Sequence, residues 1–260
     1  PYKQLIVWSP EDEEILGGYR FICGPDIEFT EAGEPHLATA HLFHFSEKFN
    51  RDYLPYTFEL GRSFVSLEYQ STRSGSKGIF TLDNLWDGLG ALSVVDPSMK
   101  YFFGKVTMFD TYNPKARDMI LYFMNKHFPD SEKLVWPKNP LEIKTDKAKL
   151  KKLFTENDLK ADYKILNASV RKLNINIPPL VNAYMSLSPQ MRVFGTGLND
   201  EFGGVEETGI LIKMDEILEE KRKRHIESYL QQKPSKLFLN NLRRKINWSW
   251  RSSSKKSVQK

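Results

Sequence analysis

A mixed α/β fold, with a central sheet flanked by helices, follows from three features of this 260-residue chain. Short apolar runs rich in Val, Ile, Phe and Tyr alternate with longer segments of helical spacing. The last two apolar runs flank a polar, glycine-containing loop and read as a hairpin. No internal repeat is visible, so a solenoid is not indicated. Strands alternating with helices is the order expected when helices cover the faces of a sheet.

The elements follow in order along the chain. Residues 4–8 and 15–23 read as two strands joined by the acidic turn 9–14. Gly17 and Gly18, inside the second, point to a bulge or a close backbone approach. Residues 26–35 are loop-like. A short helix is expected over 45–49, with Ser46 as its cap. The central strand is 56–65. An amphipathic helix is predicted over 79–95, a buried strand over 100–108, and a helix over 115–127 with Met119, Ile120, Phe123 and Met124 on one face. Residues 128–150 are proline-rich and polar, and read as an insertion or crossing loop. Leu159, Tyr163, Leu166 and Val170 give a helical stripe over 158–173. Pro178 and Pro179 start another helix reaching 187. Strands are expected at 191–198 and 208–214, and a charged helix at 215–229.

Composition narrows the class. The hydrophobic fraction of 40% and charged fraction of 27% are ordinary for a globular protein of one domain with appendages. The single cysteine, Cys23, excludes an internal disulfide and a cysteine-rich zinc site, and fits a reducing compartment. No run approaches the ~18 apolar residues of a spanning helix, and no signal peptide is visible. The first residue is Pro1, which suggests a chain internal to a longer protein. Charge is unevenly placed: 13 of the 38 Lys/Arg but one of the 33 Asp/Glu, Glu227, fall in 221–260. The preceding body is therefore mildly acidic and the tail strongly basic. Leu237, Phe238, Leu239, Trp248 and Trp250 are interleaved with the tail's bases. That pattern suits a membrane interface, where rings insert and cations meet anionic headgroups. A solvated tail is the alternative. No recognised nucleic-acid module is present, so nucleic acid is not expected as a partner.

The stretch 57–78 carries the chemistry. Its apolar strand holds two charges, Glu59 and Arg62, which must be paired or face a cavity. They are three residues apart, so a regular strand points them to opposite faces unless a bulge at Gly61 intervenes. The following loop is basic and glycine-containing, and it opens the helix 79–95. Backbone N–H groups at such a helix start hold phosphate. Together these features indicate a pocket for a phosphate-bearing thioester carrier beside a strand with a reactive carboxylate. His36, His41 and His44 do not have the spacing of a zinc motif, and no metal is expected. There is no GxSxG elbow, and Cys23 lies in an apolar strand, so covalent catalysis has little support.

ELGRSFV (59–65), followed by EYQ, the basic glycine loop and the LWDGL helix, resembles the GNAT acyltransferase fold. More narrowly, the chain resembles the hemolysin-like branch of N-acyltransferases that make ornithine and glycine lipids. ILGGYRFICG, YFFGKVTM and PPLVNAYMSLSPQMRVFGTGLNDEFGGVEETGILI match that branch too, so the likeness runs from about residue 4 to 214. Acyl-homoserine-lactone synthases share the Glu…Arg-Phe strand motif. The resemblance implies a GNAT-like domain over 1–214, its first elements lying before residue 1, with a charged helix and basic tail over 215–260. It implies transfer of a long-chain 3-hydroxy fatty acyl group from acyl carrier protein or CoA to the α-amino group of glycine or ornithine. No permanent cofactor is implied. The implied location is the cytoplasm, peripheral at the inner membrane face. The competing readings are an acyl-homoserine-lactone-type synthase and a non-catalytic membrane-binding module.

The resemblance also assigns roles. Glu59 is the candidate base, with a structural pair to Arg62 as the alternative. Arg62 is a candidate for organising the acceptor carboxylate, and Tyr184 for protonating the leaving thiolate, unless it is a core tyrosine. Phe64 and Val65 would bond the pantetheine arm. Arg73, Ser74, Gly75, Ser76, Lys77 and Gly78 would hold the donor phosphate. This loop follows the usual Gln/Arg-x-x-Gly-x-Gly/Ala pattern loosely, which suits the single phosphate of a carrier-protein arm. Ser63, Asn199 and Glu201 are substrate-binding candidates. A solvated turn is the more ordinary reading of Asn199–Glu201, and of Glu206 and Glu207.

Overall fold

A computed structural model of the protein describes residues 1–70 and 76–227; of residues 76–80 and 82 it describes the backbone alone. In chain order the strands and helices are β1 (Lys3–Ser9), β2 (Glu14–Cys23), β3 (Phe43–Phe45), β4 (Thr57–Val65), α1 (Ser76–Val95), β5 (Tyr101–Met108) and α2 (Pro114–His127). These are followed by β6 (Val135–Pro137), α3 (Lys147–Leu153), α4 (Leu159–Arg171), α5 (Pro179–Met185), β7 (Arg192–Asn199), β8 (Val205–Lys213) and α6 (Glu219–Arg222). The chain divides into two compact units, one of residues 1–27, 56–100 and 219–260, the other of 28–55 and 101–218. The mixed α/β class holds in both.

In the first unit β2 lies between β1 and β4, antiparallel to each. Two glycines make the close packing possible. A Cβ on Gly17 would lie 2.7 Å from the Phe64 carbonyl oxygen, and one on Gly18 would lie 2.9 Å from that of Leu5. Leu85 and Leu89 of α1 are buried, as are Tyr19, Phe21 and Phe58 of the strands. The segment 219–227 follows. His225 Nδ1 is 2.7 Å from Asp87 Oδ1, and Arg224 donates to Asp83. Gly90 admits this segment, because a Cβ there would stand 2.2 Å from the His225 carbonyl oxygen. Gly90→Ala is therefore expected to destabilise the protein by about 1–3 kcal/mol through overpacking. That outweighs the up to ~1 kcal/mol that alanine contributes to a helix interior. Urea denaturation checks the sign: a gain in stability would mean that the 219–227 segment does not pack there.

In the second unit β8 lies between β5 and β7, antiparallel to both, and β3 pairs with β6 in a separate ribbon. Phe49, Phe103 and Phe194 meet at its core, with ring centroids 5.4–6.3 Å apart. Side-chain caps start the helices: Asn113 accepts from Lys115 and Ala116, and Asp158 accepts from Ala161 at 2.7 Å. Asp162, wholly buried, accepts from Lys126 at 2.6 Å and lies 2.8 Å from His127 Nε2, fixing α4 to α2.

A second brace joins segments distant in sequence. Glu132 accepts from Lys48 at 2.5 Å, Arg192 at 2.6 Å and Tyr53 at 2.9 Å. The Lys48 hydrogen bond leads in holding the Glu132 carboxyl at about 2, below its ordinary 4.5. A depressed carboxyl contributes stability that is complete above 4.5 and is lost as pH falls towards about 2. Glu132→Gln is expected to flatten that acid slope in denaturation curves taken between pH 6 and 2. An unchanged slope would show that the brace does not stabilise the fold.

Two expected helices differ. Phe45 ends β3, pairing with Val135, so the 45–49 helix starts later; Ser46 does cap it, accepting from Phe49 N at 3.0 Å. Of the long charged helix expected over 215–229, residues 228 and 229 lie outside the described residues; up to Glu227 the chain forms a 3-10 turn, the four-residue α6 and a wide π-type turn at Lys223–Glu227. The prolines of the 128–150 segment did not signal that it would supply β6 and start α3.

Candidate functional site

The first half of β4 is buried and the second half is open. Thr57, Phe58, Glu59 and Leu60 are buried, whereas Arg62, Ser63 and Phe64 are exposed. Between the halves the ladder with β2 slips. Gly61 pairs with Arg20 and Phe64 with Gly18, so Arg62 and Ser63 stand opposite Tyr19 alone. This is a β-bulge, one residue beyond the glycine where the sequence had pointed. Arg62 adopts φ of +51°, in the left-handed region that non-glycine residues avoid. Backbone held there costs about 1–3 kcal/mol and concentrates at functional sites. The bulge sets two residues of β4, Arg62 and Ser63, against one of β2.

Glu59, three residues before Arg62, is 1% exposed. It accepts a hydrogen bond from the Tyr2 hydroxyl. Strand register explains the contact. Lys3 pairs with Phe21, so Tyr2 lies one residue further, level with Ile22, and the other neighbour of Ile22 is Glu59. The three side chains form one cross-strand row. The Arg20 guanidinium sits 4.3 Å from the Tyr2 ring centroid, and its buried Nε has no hydrogen-bond partner among the described residues. Tyr2 and Arg20 escaped the sequence reading. The available signal was parity: Tyr2, Arg20 and Ile22 fall on the face of β1 and β2 that Glu59 shares.

Arg73, Ser74 and Gly75 lie outside the described residues, as does the basic aromatic tail from 228 onwards. Ser76, Lys77 and Gly78 form the first turn of α1. Val65 is half-buried, and its carbonyl accepts from the Gln70 side chain at 2.5 Å. Cys23 is buried, and desolvation pushes its thiol up to about 12, which makes it inert as a nucleophile. Among the described residues no group of three or more His, Cys, Asp or Glu is placed to hold a metal. No helix among them is long and apolar enough to cross a membrane.

Tyr184, Asn199 and Glu201 belong to the second unit. Tyr184 is buried on α5, and Glu201 is exposed on the 3-10 turn Asp200–Phe202. The reading of Asn199, Glu206 and Glu207 as parts of a solvated turn is corrected: Asn199 closes β7 and the two acids lie on β8, all three buried. The strand begins at Val205 rather than Thr208; β5 and β7 pair with its two edges, and Val205–Ile212 are buried on both faces. Glu207 accepts from Lys105, from Thr107 at 3.0 Å and from Asn199 at 2.8 Å. Glu206 accepts from Arg117, which also donates to Asp118 at 2.9 Å. Burial nonetheless raises the Glu206 carboxyl, against the pull of Arg117. Both Asn199 Oδ1 and Glu206 Oε2 are buried acceptors without partners among the described residues.

Comparison with known proteins places the chain. Residues 1–77 match the acetyltransferase (GNAT) domain model. That span contains β1, β2, β4 with its bulge, and the opening of α1. The chain is 67% identical over 234 residues to a protein of Phocaeicola vulgatus named glycine N(alpha)-acyltransferase, covering 90% of this chain and 72% of that one. It is 65% identical over 237 residues to a protein of the same name from Bacteroides thetaiotaomicron, covering 91% of this chain and 70% of that one. No solved structure matches. The ornithine-lipid and homoserine-lactone branches find no support in these relatives. At this identity and coverage, the chain belongs to the glycine N(alpha)-acyltransferase family and is a GNAT-type N-acyltransferase.

Proposed function

We propose that the protein transfers a long-chain, 3-hydroxylated fatty acyl group from the thioester of acyl carrier protein to the α-amino group of glycine. Glycine as the acceptor is supported by the names of the two relatives. The observation that carries the mechanism is Glu59, a buried carboxylate three residues before the strained bulge of β4. Glu59 takes a proton from the glycine ammonium, directly or through water. The free amine attacks the thioester carbon. A backbone N–H at the bulge, with Arg62 and Ser63, stabilises the oxyanion that develops. The C–S bond then breaks and the thiolate takes a proton, for which Tyr184 is the proposed donor; the nitrogen gives up its second proton as the amide forms, and that proton restores the tyrosine hydroxyl, so the one proton left over is the one on Glu59. Tyr2 holds the Glu59 carboxylate in one orientation. Phe64 and Val65 pair with the pantetheine arm, and residues 73–78 hold its phosphate through backbone N–H groups. Ser63, Asn199 and Glu201 are the proposed acceptor contacts. The basic tail carries the enzyme to acidic carrier protein and to the anionic membrane surface where its product resides.

The test is an assay of the purified full-length protein with 3-hydroxyacyl carrier protein, 3-hydroxyacyl-CoA, glycine and ornithine in separate pairings. N-acylglycine formed fastest from the carrier thioester is the expected result. Preference for CoA would overturn the donor, and preference for ornithine the acceptor.

A further inference from the structure

At the edge of the second unit, where β5 and β7 begin and β8 ends, there is a polar cleft of about 200 Å³. It is lined by Tyr53, Tyr101, Gln190, Arg192, Lys213 and Glu216, with Leu211 at its base. This is the opposite end of the β5–β8–β7 strands from Asn199, Glu206 and Glu207. Nothing in the proposed reaction uses it.

The lining carries two cations with donors to spare. Arg192 spends one nitrogen, Nη1, on Glu132 and Tyr53, at 2.6 and 3.4 Å. Its Nε and Nη2 have no hydrogen-bond partner among the described residues. Lys213 meets Glu216 at 3.1 Å and no other acceptor among them. The Tyr101 hydroxyl and the Gln190 amide line the same cleft with no hydrogen bond to a described residue. Glu132, behind Arg192, already takes Lys48 as well, so its single negative charge is shared between two cations. The Tyr53 ring lies 5.1 Å from that of Tyr101, tilted by 43°, and its centroid is 5.6 Å from the Arg192 guanidinium carbon. Acids at the outer edge, Glu216 and its neighbour Asp215, act on Lys213 rather than on Arg192.

We infer that this cleft is a second binding site, for a small oxyanion. Arg192 supplies a planar fork suited to a carboxylate or phosphate edge. Lys213 supplies a point charge, and Tyr101 and Gln190 donate to the remaining oxygens. A water occupies about 30 Å³ of liquid, so the cleft admits an oxyanion with a few further atoms and excludes a fatty acyl chain. On entry the anion competes with Glu216 for Lys213. Carboxylate-bearing and phosphate-bearing metabolites share this chemistry.

The experiment is titration of the full-length protein with inorganic phosphate and, separately, acetate, followed by isothermal calorimetry and by thermal shift. Saturable binding of at least one is expected. Lys213→Gln should weaken it at least fivefold, and Tyr101→Phe by less. Glu216→Gln, which releases Lys213, should strengthen it. Phosphate alone binding would assign the site to phosphate-bearing ligands, and acetate alone to carboxylates. No saturable binding of either up to 20-fold above millimolar concentration overturns the site. So does binding that Lys213→Gln and Glu216→Gln leave unchanged, since the anion then sits elsewhere. Glu59→Gln should leave this binding intact, which separates the cleft from the reaction centre.

Discussion

Glu59→Gln is expected to lower kcat for acyl transfer by about 10²–10⁴-fold, the usual contribution of a positioned general base, with little change in stability. The substitution keeps the volume of a side chain that is 1% exposed. It also keeps an oxygen to accept from Tyr2, so the row of Tyr2, Ile22 and Glu59 survives. What disappears is the capacity to take a proton. Tyr2→Phe removes the orienting hydrogen bond and leaves the base, so its loss in kcat should be smaller. Near wild-type kcat in Glu59→Gln, measured with saturating donor and acceptor, would remove the carboxylate from the mechanism.

Asp162→Ala should cost the most stability of any single change considered, about 3–5 kcal/mol, the range for breaking a buried ion pair from one side. Asp162 is 0% exposed, and it receives Lys126 while lying against His127. Burial alone would raise its carboxyl; the hydrogen bonds from Lys126 and His127 outweigh that and hold it below the ordinary 3.8. Its contribution is therefore present above pH 3.8 and lost as pH falls below. Lys126 keeps the carbonyls of Phe154 and Glu156, at 2.8 and 2.5 Å, so removal leaves His127 the more exposed to loss. Against a typical total of 5–15 kcal/mol, the variant should lie close to unfolding at 37 °C. Asp162→Asn, which keeps the volume and one acceptor, should lose less. Equal stability of Asp162→Ala and wild type in urea would contradict the pairing of α4 with α2.

Much of the frame was legible because its signals are local. β2 and β4 are rich in strand-type apolar residues, α2 and α4 carry stripes at helical spacing, and Asp158 and Pro179 mark helix starts within a residue. Gly17 and Gly18 announced the close approach of Leu5 and Phe64 because few other roles explain paired glycines in an apolar strand. Glu59 stood out for the opposite reason, as a charge where burial would be costly. The ribbon of β3 and β6 was not legible. Each strand is three residues long and they pair across about 90 residues of chain, so neither has a period to detect. The partners of Glu206 and Glu207 were hidden likewise. Arg117 and Lys105 lie 89 and 102 residues away, and a double acid beside a glycine turn looks solvated until both faces of β8 are seen covered. Tyr2 was missed because a residue at the head of a strand carries no local mark of the carboxylate two strands over.

The central claim is that this chain makes an N-acylglycine with Glu59 as the base. Its most direct test is mass spectrometry of lipids from a heterologous bacterial host expressing the full-length gene, beside the Glu59→Gln variant. A new N-(3-hydroxyacyl)glycine is expected in the first and its near absence in the second. Soluble wild-type protein with no new N-acyl amino acid, or the same amount of product from both, would contradict it.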